Sequence, residues 1–472
     1  MIHIQDRREL FADHMLIEQT QNVSLKLHEP ITTGVAIRLD KSWEGPANSG
    51  TVVFQYNDQY FMYYRAMPLN KDNPSGVLCL ATSEDGIHWT KPNLGLVKHA
   101  EITETNIVAD ESGNPFMAIP WLDTRPGTPE NERIKTLASE SITGEAHTAY
   151  ADPKGPKRLV FLASGDGATF HKLAPHPELI SHLKNAFDGG NTMFWSEVEQ
   201  QYVLYYRAWD EGRSVARTTS KDLMQWTEHV PMTYSNTPRE QFYTNNTMPY
   251  FRAPHIYIAP AARFMQDRSA VTQAQGETIG LHSAQGHHYH NDCSDGVLLT
   301  TRSGTTNYDR TFMEAFIRPG LGLGNWVSRT NYPVTGILPS GPNEMALFVS
   351  RQYMQDAWHV ERLTLRLDGF TSVTAPWAGG ELLTKPLTFA GKQLEINYRT
   401  SAPGALQVEI QDETNTPIPS FTLDDCPEII GDEITRVVTW KHGTDLSPLA
   451  DQIVRLRFKM KDADLFSFKF GD

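Results

Sequence analysis

Apolar and aromatic residues along the chain fall into short runs of the length a strand buries, and two of these runs repeat. Tyr60-Phe61-Met62-Tyr63-Tyr64-Arg65-Ala66 is followed by Leu80-Ala81-Thr82-Ser83-Glu84-Asp85-Gly86-Ile87-His88-Trp89. Tyr202-Val203-Leu204-Tyr205-Tyr206-Arg207-Ala208 is followed by Ala216-Arg217-Thr218-Thr219-Ser220-Lys221-Asp222-Leu223-Met224-Gln225-Trp226. Each reads as a strand, a connection, a second strand, and a polar turn closed by an aromatic residue. Antiparallel units recurring at roughly 40–80 residues predict the blades of a β-propeller. The matches place blades at 47–90, from 106 to 167, at 191–226, from 244 to 304 and from 331 to 370. They support five blades, and four blades with a separate sheet fit them too.

After residue 375 the pattern changes to strict alternation, in Leu394–Tyr398, Leu406–Ile410 and Ile453–Phe458. Alternation marks half-buried antiparallel strands, and a β-sandwich follows. The expected fold is all-β: a five-bladed propeller over 1–374 and an accessory β-sandwich over 375–472. Two long polar insertions, 120–150 and 265–294, interrupt the second and fourth blades. Long loops on a rigid scaffold tend to carry function. In a propeller, polar sites gather where the inner strands of the blades meet the axis. The recurring Tyr63, Tyr64, Tyr205 and Tyr206 read as blade packing.

The 472 residues suffice for two domains, and a net charge of −14 argues against a nucleic-acid partner. No apolar run reaches the ~20 residues that span a bilayer, so no membrane partner is expected. The first residues lack an apolar signal region, which predicts a cytoplasmic protein, or a periplasmic one if a leader has been removed. Cys79, Cys293 and Cys426 have no pair spacing and read as buried free thiols. No phosphate loop or dinucleotide fingerprint appears, and no cofactor is expected. The pattern leaves an oligomer open.

Several segments together resemble a family: Arg8-Glu9-Leu10-Phe11, Trp43-Glu44-Gly45-Pro46, Leu122-Asp123-Thr124, Phe187-Asp188, Tyr250-Phe251-Arg252-Ala253-Pro254-His255, Glu314 through Gly320, and Gly380 through Leu387. The chain resembles bacterial proteins similar to glycoside hydrolase family 32, which have a five-bladed propeller and a C-terminal β-sandwich. It lacks the Asn-Asp-Pro-Asn-Gly and Glu-Cys segments of the invertases. The resemblance implies acids on different blades sharing the chemistry. In a related propeller family acting on 3,6-anhydrogalactose, a histidine serves as the acid.

Hydrolysis of a glycoside needs a proton donor and a second carboxylate that activates water or attacks carbon. Glu44 and Asp188 precede the inner strands of the first and third blades. Asp123 has apolar flanks, and Glu314 lies near Arg318. These four are the candidate catalytic acids. Trp43, Arg125, Asn191, Asn245, Arg252, His255, His288, His290, Arg318 and Glu344 are the candidate substrate contacts. Each has a structural alternative: a turn, a salt bridge or a core histidine. His287, His288 and His290 lack the spacing of a defined metal motif, and no metal is assigned.

The expected function is an exo-acting glycoside hydrolase that releases a terminal sugar from an oligosaccharide. A 3,6-anhydrogalactose-containing algal galactan fragment is the named candidate substrate. Two alternatives stand beside it: a carbohydrate-binding propeller without catalysis, and a glycoside phosphorylase with Arg125, Arg252 and Arg318 as phosphate ligands. Inversion through Glu44 and Asp188 is the expected stereochemistry.

Overall fold

The computed structural model describes residues 1–48, 50–69, 76–139, 157–284 and 286–472. Five separate sheets, antiparallel except where Thr169–Lys172 runs parallel to Ala109–Asp110 in the second, form the propeller blades. Their middle strands are Gln59–Ala66, Ile134–Ser139, Gln201–Trp209, Ala253–Met265 and Glu344–Arg351. The inner edges are Thr51–Tyr56, Pro120–Leu122, Thr192–Ser196, Phe242–Thr244 and Tyr332–Pro333. Helix is scarce among the described residues. The α-helix Gln273–Thr278 lies in the fourth-blade insertion and starts on a capping box made by Thr272 and Gln275.

The repeated turn has a physical cause. In the first blade the Ser83 hydroxyl accepts the Gly86 N–H, and Asp85 Oδ1 accepts the N–H groups of Ile87 and His88. Ser164 and Asp166 do the same for Gly167, Ala168 and Thr169, as do Ser220 and Asp222 for Leu223, Met224 and Gln225. The fourth position, counted from the serine, needs a positive φ, which Gly86 and Gly167 supply at 70° and 77°. Leu223 holds it at 67°, with the Trp226 indole donating to its carbonyl. Tyr63, Tyr64, Tyr205 and Tyr206 are fully buried between the blades.

Two boundaries differ from the sequence reading. Asn106–Val108 joins the first blade and does not begin the second, because Leu80 and Val108 exchange backbone bonds with Asn106 and Leu78. The last blade is completed by Ile31–Arg38, which pairs with His359–Arg366. The chain start thus closes the ring, joining its two ends.

The N-terminal strands before this closure lie in the other sheet system. Glu9–Leu10 and Ser24–Leu27 pair with Arg455–Gly471 and Thr371–Ala375, and Ile17–Gln21 pairs with Gly380–Thr384. Ile2–Gln5 lies parallel to Leu387–Phe389. Strand pairing therefore crosses a cut at 374/375, and we propose 1–27 with 371–472 as the sandwich unit. Its core contains Phe11, Leu16, Val373, Leu394, Tyr398, Trp440, Phe458 and Phe468. Cys79, Cys293 and Cys426 are free and buried.

Candidate functional site

The inner strands converge tightly. Val53 N–H donates to Thr335 O at 2.8 Å, and Thr335 N–H donates to Thr51 O at 3.1 Å, so the first and fifth blades touch at the axis. Beside this contact is a cavity of about 80 Å³, lined from all five blades. Its polar lining includes Thr51, Asn191, Thr192, Asn246, Tyr332 and Thr335, and its apolar wall includes Ile119 and Trp121. No carboxylate lines it among the described residues.

Several lining groups are built in by hydrogen bonds. Asn246 donates to Pro260 O and Pro333 O, at 2.9 and 2.7 Å, and accepts from Thr335 at 2.8 Å, tying the fourth blade to the fifth. Asn245 donates to Gly190 O at 3.1 Å and so holds the loop that presents Asn191. Other groups are left over. Trp121 Nε1, Asn191 Oδ1, Thr192 Oγ1 and Tyr332 Oη are buried atoms without a hydrogen-bond partner among the described residues. Burial pushes the Tyr332 phenol well above its ordinary pKa, so it is a neutral hydroxyl.

A basic rim adjoins the cavity. Gly189, at φ +140°, lines the cavity, and a Cβ there would meet the Arg207 guanidinium at 2.8 Å. Arg207, Arg213 and Arg329 lie 4.6, 5.2 and 5.5 Å from the centre of the Tyr243 ring. That ring is 5.1 Å from Tyr332. Burial lowers the pKa of Arg207 from its ordinary value, partly offset by Tyr243 and Asp188. The charge of the exposed Asp188 acts on Arg207 in this rim.

The other expected acids are scattered. Glu44 is fully buried, accepting from Tyr64 Oη at 2.6 Å, Lys91 Nζ at 2.8 Å and Lys41 N at 2.9 Å. Trp43 beside it is also buried and donates to Asn106 at 3.0 Å. Asp123 follows the far end of its inner strand, fully buried against Lys135 at 2.7 Å and Tyr202 Oη at 2.8 Å. Arg125 stacks there on Trp195 and Tyr202. Glu314 and Glu344 are exposed and away from the cavity lining.

Three expected substrate contacts meet carboxylates elsewhere. His255 meets Glu9 at 3.0 Å, Arg252 lies 3.5 Å from Asp368, and Arg318 meets Glu29 at 2.6 Å on the surface. His288 and His290 have ring centres 5.8 Å apart in the fourth-blade insertion. Tyr289 between them packs under Arg329, at 5.4 Å, so this loop borders the basic rim. Among the described residues no group of three His, Cys, Asp or Glu is placed to hold a metal ion. The insertion residues 140–156 lie outside the described residues.

The structure therefore gathers Asp188, Asn191 and Asn245 at one place and disperses the other candidates. Sequence reasoning missed Thr192, Asn246, Tyr332, Thr335, Arg207, Tyr243 and Arg329. Only the position of some of these at inner-strand starts marked them.

No family model and no curated protein matches the chain. Solved structures similar to it include a glycosyl hydrolase from Bacteroides ovatus, at 13% identity over 76% of this chain and 93% of that one, with a TM-score of 0.40. Another is from work on the GH130 family of mannoside phosphorylases, containing glycoside hydrolases that target β-1,2 mannosidic linkages in Candida mannan. It has 12% identity, covers 72% of this chain and 94% of that one, and has a TM-score of 0.42. A third is an N-acetylgalactosamine deacetylase from F. plautii in complex with blood group B trisaccharide, at 11% identity, 73% and 96% coverage and a TM-score of 0.43.

Proposed function

We propose that the chain is a carbohydrate-binding propeller that takes the end of a glycan into its axial cavity. The observation that carries this is the set of unpaired buried polar atoms on Trp121, Asn191, Thr192 and Tyr332, contributed by three blades to one cavity. A buried polar atom without a partner costs about 1–3 kcal/mol, so a site that keeps four is built for a hydrogen-bonding guest. Sugar hydroxyls both donate and accept, which suits this mixture of an indole N–H, an amide oxygen and two hydroxyls. The apolar wall of Ile119 and Trp121 suits the C–H face of a sugar ring. The cavity volume of about 80 Å³ equals roughly five to eight water positions at about 10–15 Å³ each, a size for one sugar end.

Hydrolysis by paired carboxylates has less support, because the candidate acids Glu44, Asp123 and Glu314 lie away from this cavity. Asp188 beside Arg207 favours phosphorolysis as the second reading: one acid suffices when phosphate is the nucleophile.

Calorimetric titration with neutral oligosaccharides ending in fructose, mannose, galactose and 3,6-anhydrogalactose tests the binding reading. Product analysis with and without inorganic phosphate runs beside it. Binding of one sugar end, weakened at least tenfold by Asn191→Ala and kept in Asp188→Asn, is the expected result. A folded protein that binds nothing in the panel sinks the proposal. Turnover without phosphate that disappears in Asp188→Asn would restore the hydrolase reading.

A further inference from the structure

We infer that Arg207, Arg213 and Arg329 form an oxyanion site at the rim of the axial cavity. The oxyanion is a free phosphate or the carboxylate of an acidic sugar. The inference rests on the carbohydrate reading and names the charge its ligand or co-substrate carries.

What sets these arginines apart is that three of them share one aromatic ring with no carboxylate in ion-pair distance among the described residues, only the more distant charge of Asp188 acting on Arg207. Elsewhere in the propeller, Arg217 pairs with Glu199, Arg310 with Glu240, and Arg351 with Glu361. Arg263 pairs with both Glu240 and Asp295. Arg207, Arg213 and Arg329 form no ion pair among the described residues, although the chain carries a net charge of −14. They also repel one another: Arg213 is among the groups that lower the pKa of Arg207. Three like charges held around one ring are a cost unless something negative enters.

Their faces are occupied and their edges are mostly not. Arg207 stacks on Tyr243 and donates to its carbonyl. Arg213 stacks on Trp209, Tyr243 and Phe264, and among the described residues donates to Gln241 at 2.8 Å. Arg329 lies between Tyr243 and Tyr289 with the Tyr353 hydroxyl against its guanidinium, and its Nε is buried without a partner among the described residues. Stacking fixes each guanidinium plane and leaves its N–H fork for a planar or tetrahedral oxyanion. Arg329 itself holds a left-handed backbone, φ 59°, of the kind kept where surrounding structure imposes it.

The site adjoins the sugar cavity across Gly189 and Tyr332, which line it. Gly189 lies against Arg207, and Tyr332 lies against Tyr243. An anion there is placed beside a glycan end, as the second substrate of phosphorolysis or as a substituent of the sugar itself.

The test titrates the full chain at low ionic strength with inorganic phosphate, with glucuronate and with glucose, read by calorimetry. Binding of phosphate identifies a free anion. Binding of glucuronate at least tenfold tighter than glucose, with phosphate weak, identifies an acidic sugar. Arg213→Gln and Arg329→Gln should each weaken the bound anion by about tenfold or more. Arg239→Gln should change it little, since Arg239 is paired with Asp210 and Glu211. Circular dichroism confirms that each variant is folded, and Arg213→Lys serves if Arg213→Gln is not. The inference is overturned if folded wild type binds neither anion, or if Arg239→Gln weakens binding as much as the rim variants do. Neutral glycan binding without anion binding sinks this inference alone. Anion binding with no glycan bound sinks the carbohydrate reading and leaves the oxyanion site standing.

Discussion

The contact between propeller and sandwich and the axial cavity are both polar, and they treat their polar groups in opposite ways. At the contact, Glu9 accepts from Arg302 and meets His255, each at 3.0 Å, while Asp13 takes the other side of Arg302 at 2.8 Å. Asp368 accepts from Tyr250 at 2.8 Å, Ser467 at 2.6 Å and Asn397 at 3.1 Å, with Arg8 and Arg252 each 3.5 Å away. At the cavity, amide, hydroxyl and indole atoms are left without partners among the described residues, and at its rim three arginines form no ion pair among them. Charges satisfied by the fold hold it together. Single unsatisfied atoms occur elsewhere too, such as Arg252 Nη1 at the contact and Ser401 Oγ in the sandwich, but the four that share one cavity are those we read as awaiting something from outside. Residue type alone does not separate these two uses.

The hardest way to break the comparison is to remove a charge from the paired region. Asp368→Ala leaves Arg8, Arg252 and the hydroxyls of Tyr250 and Ser467 without their buried acceptor. Breaking a buried pair from one side costs about 3–5 kcal/mol. Urea unfolding should show that loss, with ligand binding by the residual folded protein unchanged. A loss under about 1 kcal/mol would mean that the contact contributes little.

Acid attacks the same region. Burial alone would raise the Glu9 carboxyl, but hydrogen bonding to His255 and the charge of Arg302 outweigh it and hold the pKa at about 2, against 4.5 ordinarily. A carboxyl lowered on folding contributes its full stability above its unfolded pKa and loses it as pH falls toward the folded value. The contribution is roughly 3 kcal/mol, present above pH 4.5 and lost between there and about pH 2. Unfolding free energies measured from pH 6 downward should fall over that window. Glu9→Gln should be less stable at pH 6 and show a flatter slope below pH 4.5; an identical slope would remove Glu9 from the account.

The blades were legible because their signal is local. A Ser-x-Asp turn recurs after a Tyr-Tyr-Arg strand, and each copy satisfies itself within a few residues. The N-terminal part of the sandwich was not legible. Ile17–Gln21 is mostly exposed and carries little alternation, and the partners of Glu9–Leu10 are Phe468 and Ser467 at the other end of the chain. For the site, Asp188 and Asn191 were legible because two glycines precede an inner strand. Glu44 occupies a similar place in sequence, yet its carboxylate turns inward to Tyr64 and Lys91. Searching for acids also drew attention from Thr192 and Tyr332, which read as ordinary strand residues until their unpaired hydroxyls are seen together.

A smaller perturbation links the cavity to its rim. In Gly189→Ala, the new methyl group meets Arg207 at 2.8 Å and Tyr243 O at 3.2 Å, from a backbone at φ +140°. The residue must leave that conformation or displace a buried guanidinium, at a cost of about 1–3 kcal/mol. Stability should drop modestly while anion binding drops at least tenfold. Equal anion binding in wild type and variant would separate the rim from the cavity.

The smallest expected change in stability is also the sharpest test of the contrast. Tyr332→Phe removes a buried hydroxyl that has no partner among the described residues and keeps the ring that packs on Tyr243. Deleting an unsatisfied buried polar atom is nearly neutral or stabilising, because the desolvation cost goes with it. Thermal unfolding should therefore shift by no more than about 1 kcal/mol, and in the stabilising direction if it shifts. Affinity for the glycan end should fall, because the hydroxyl is one of the atoms a sugar would satisfy. Tyr250→Phe is the matched control at the interface: its hydroxyl donates to Asp368 and accepts the Asp368 N–H, each at 2.8 Å. That variant should lose stability and keep glycan affinity. If the two tyrosines respond alike in both measurements, unpaired atoms do not mark the site, and the assignment of the axial cavity falls with them.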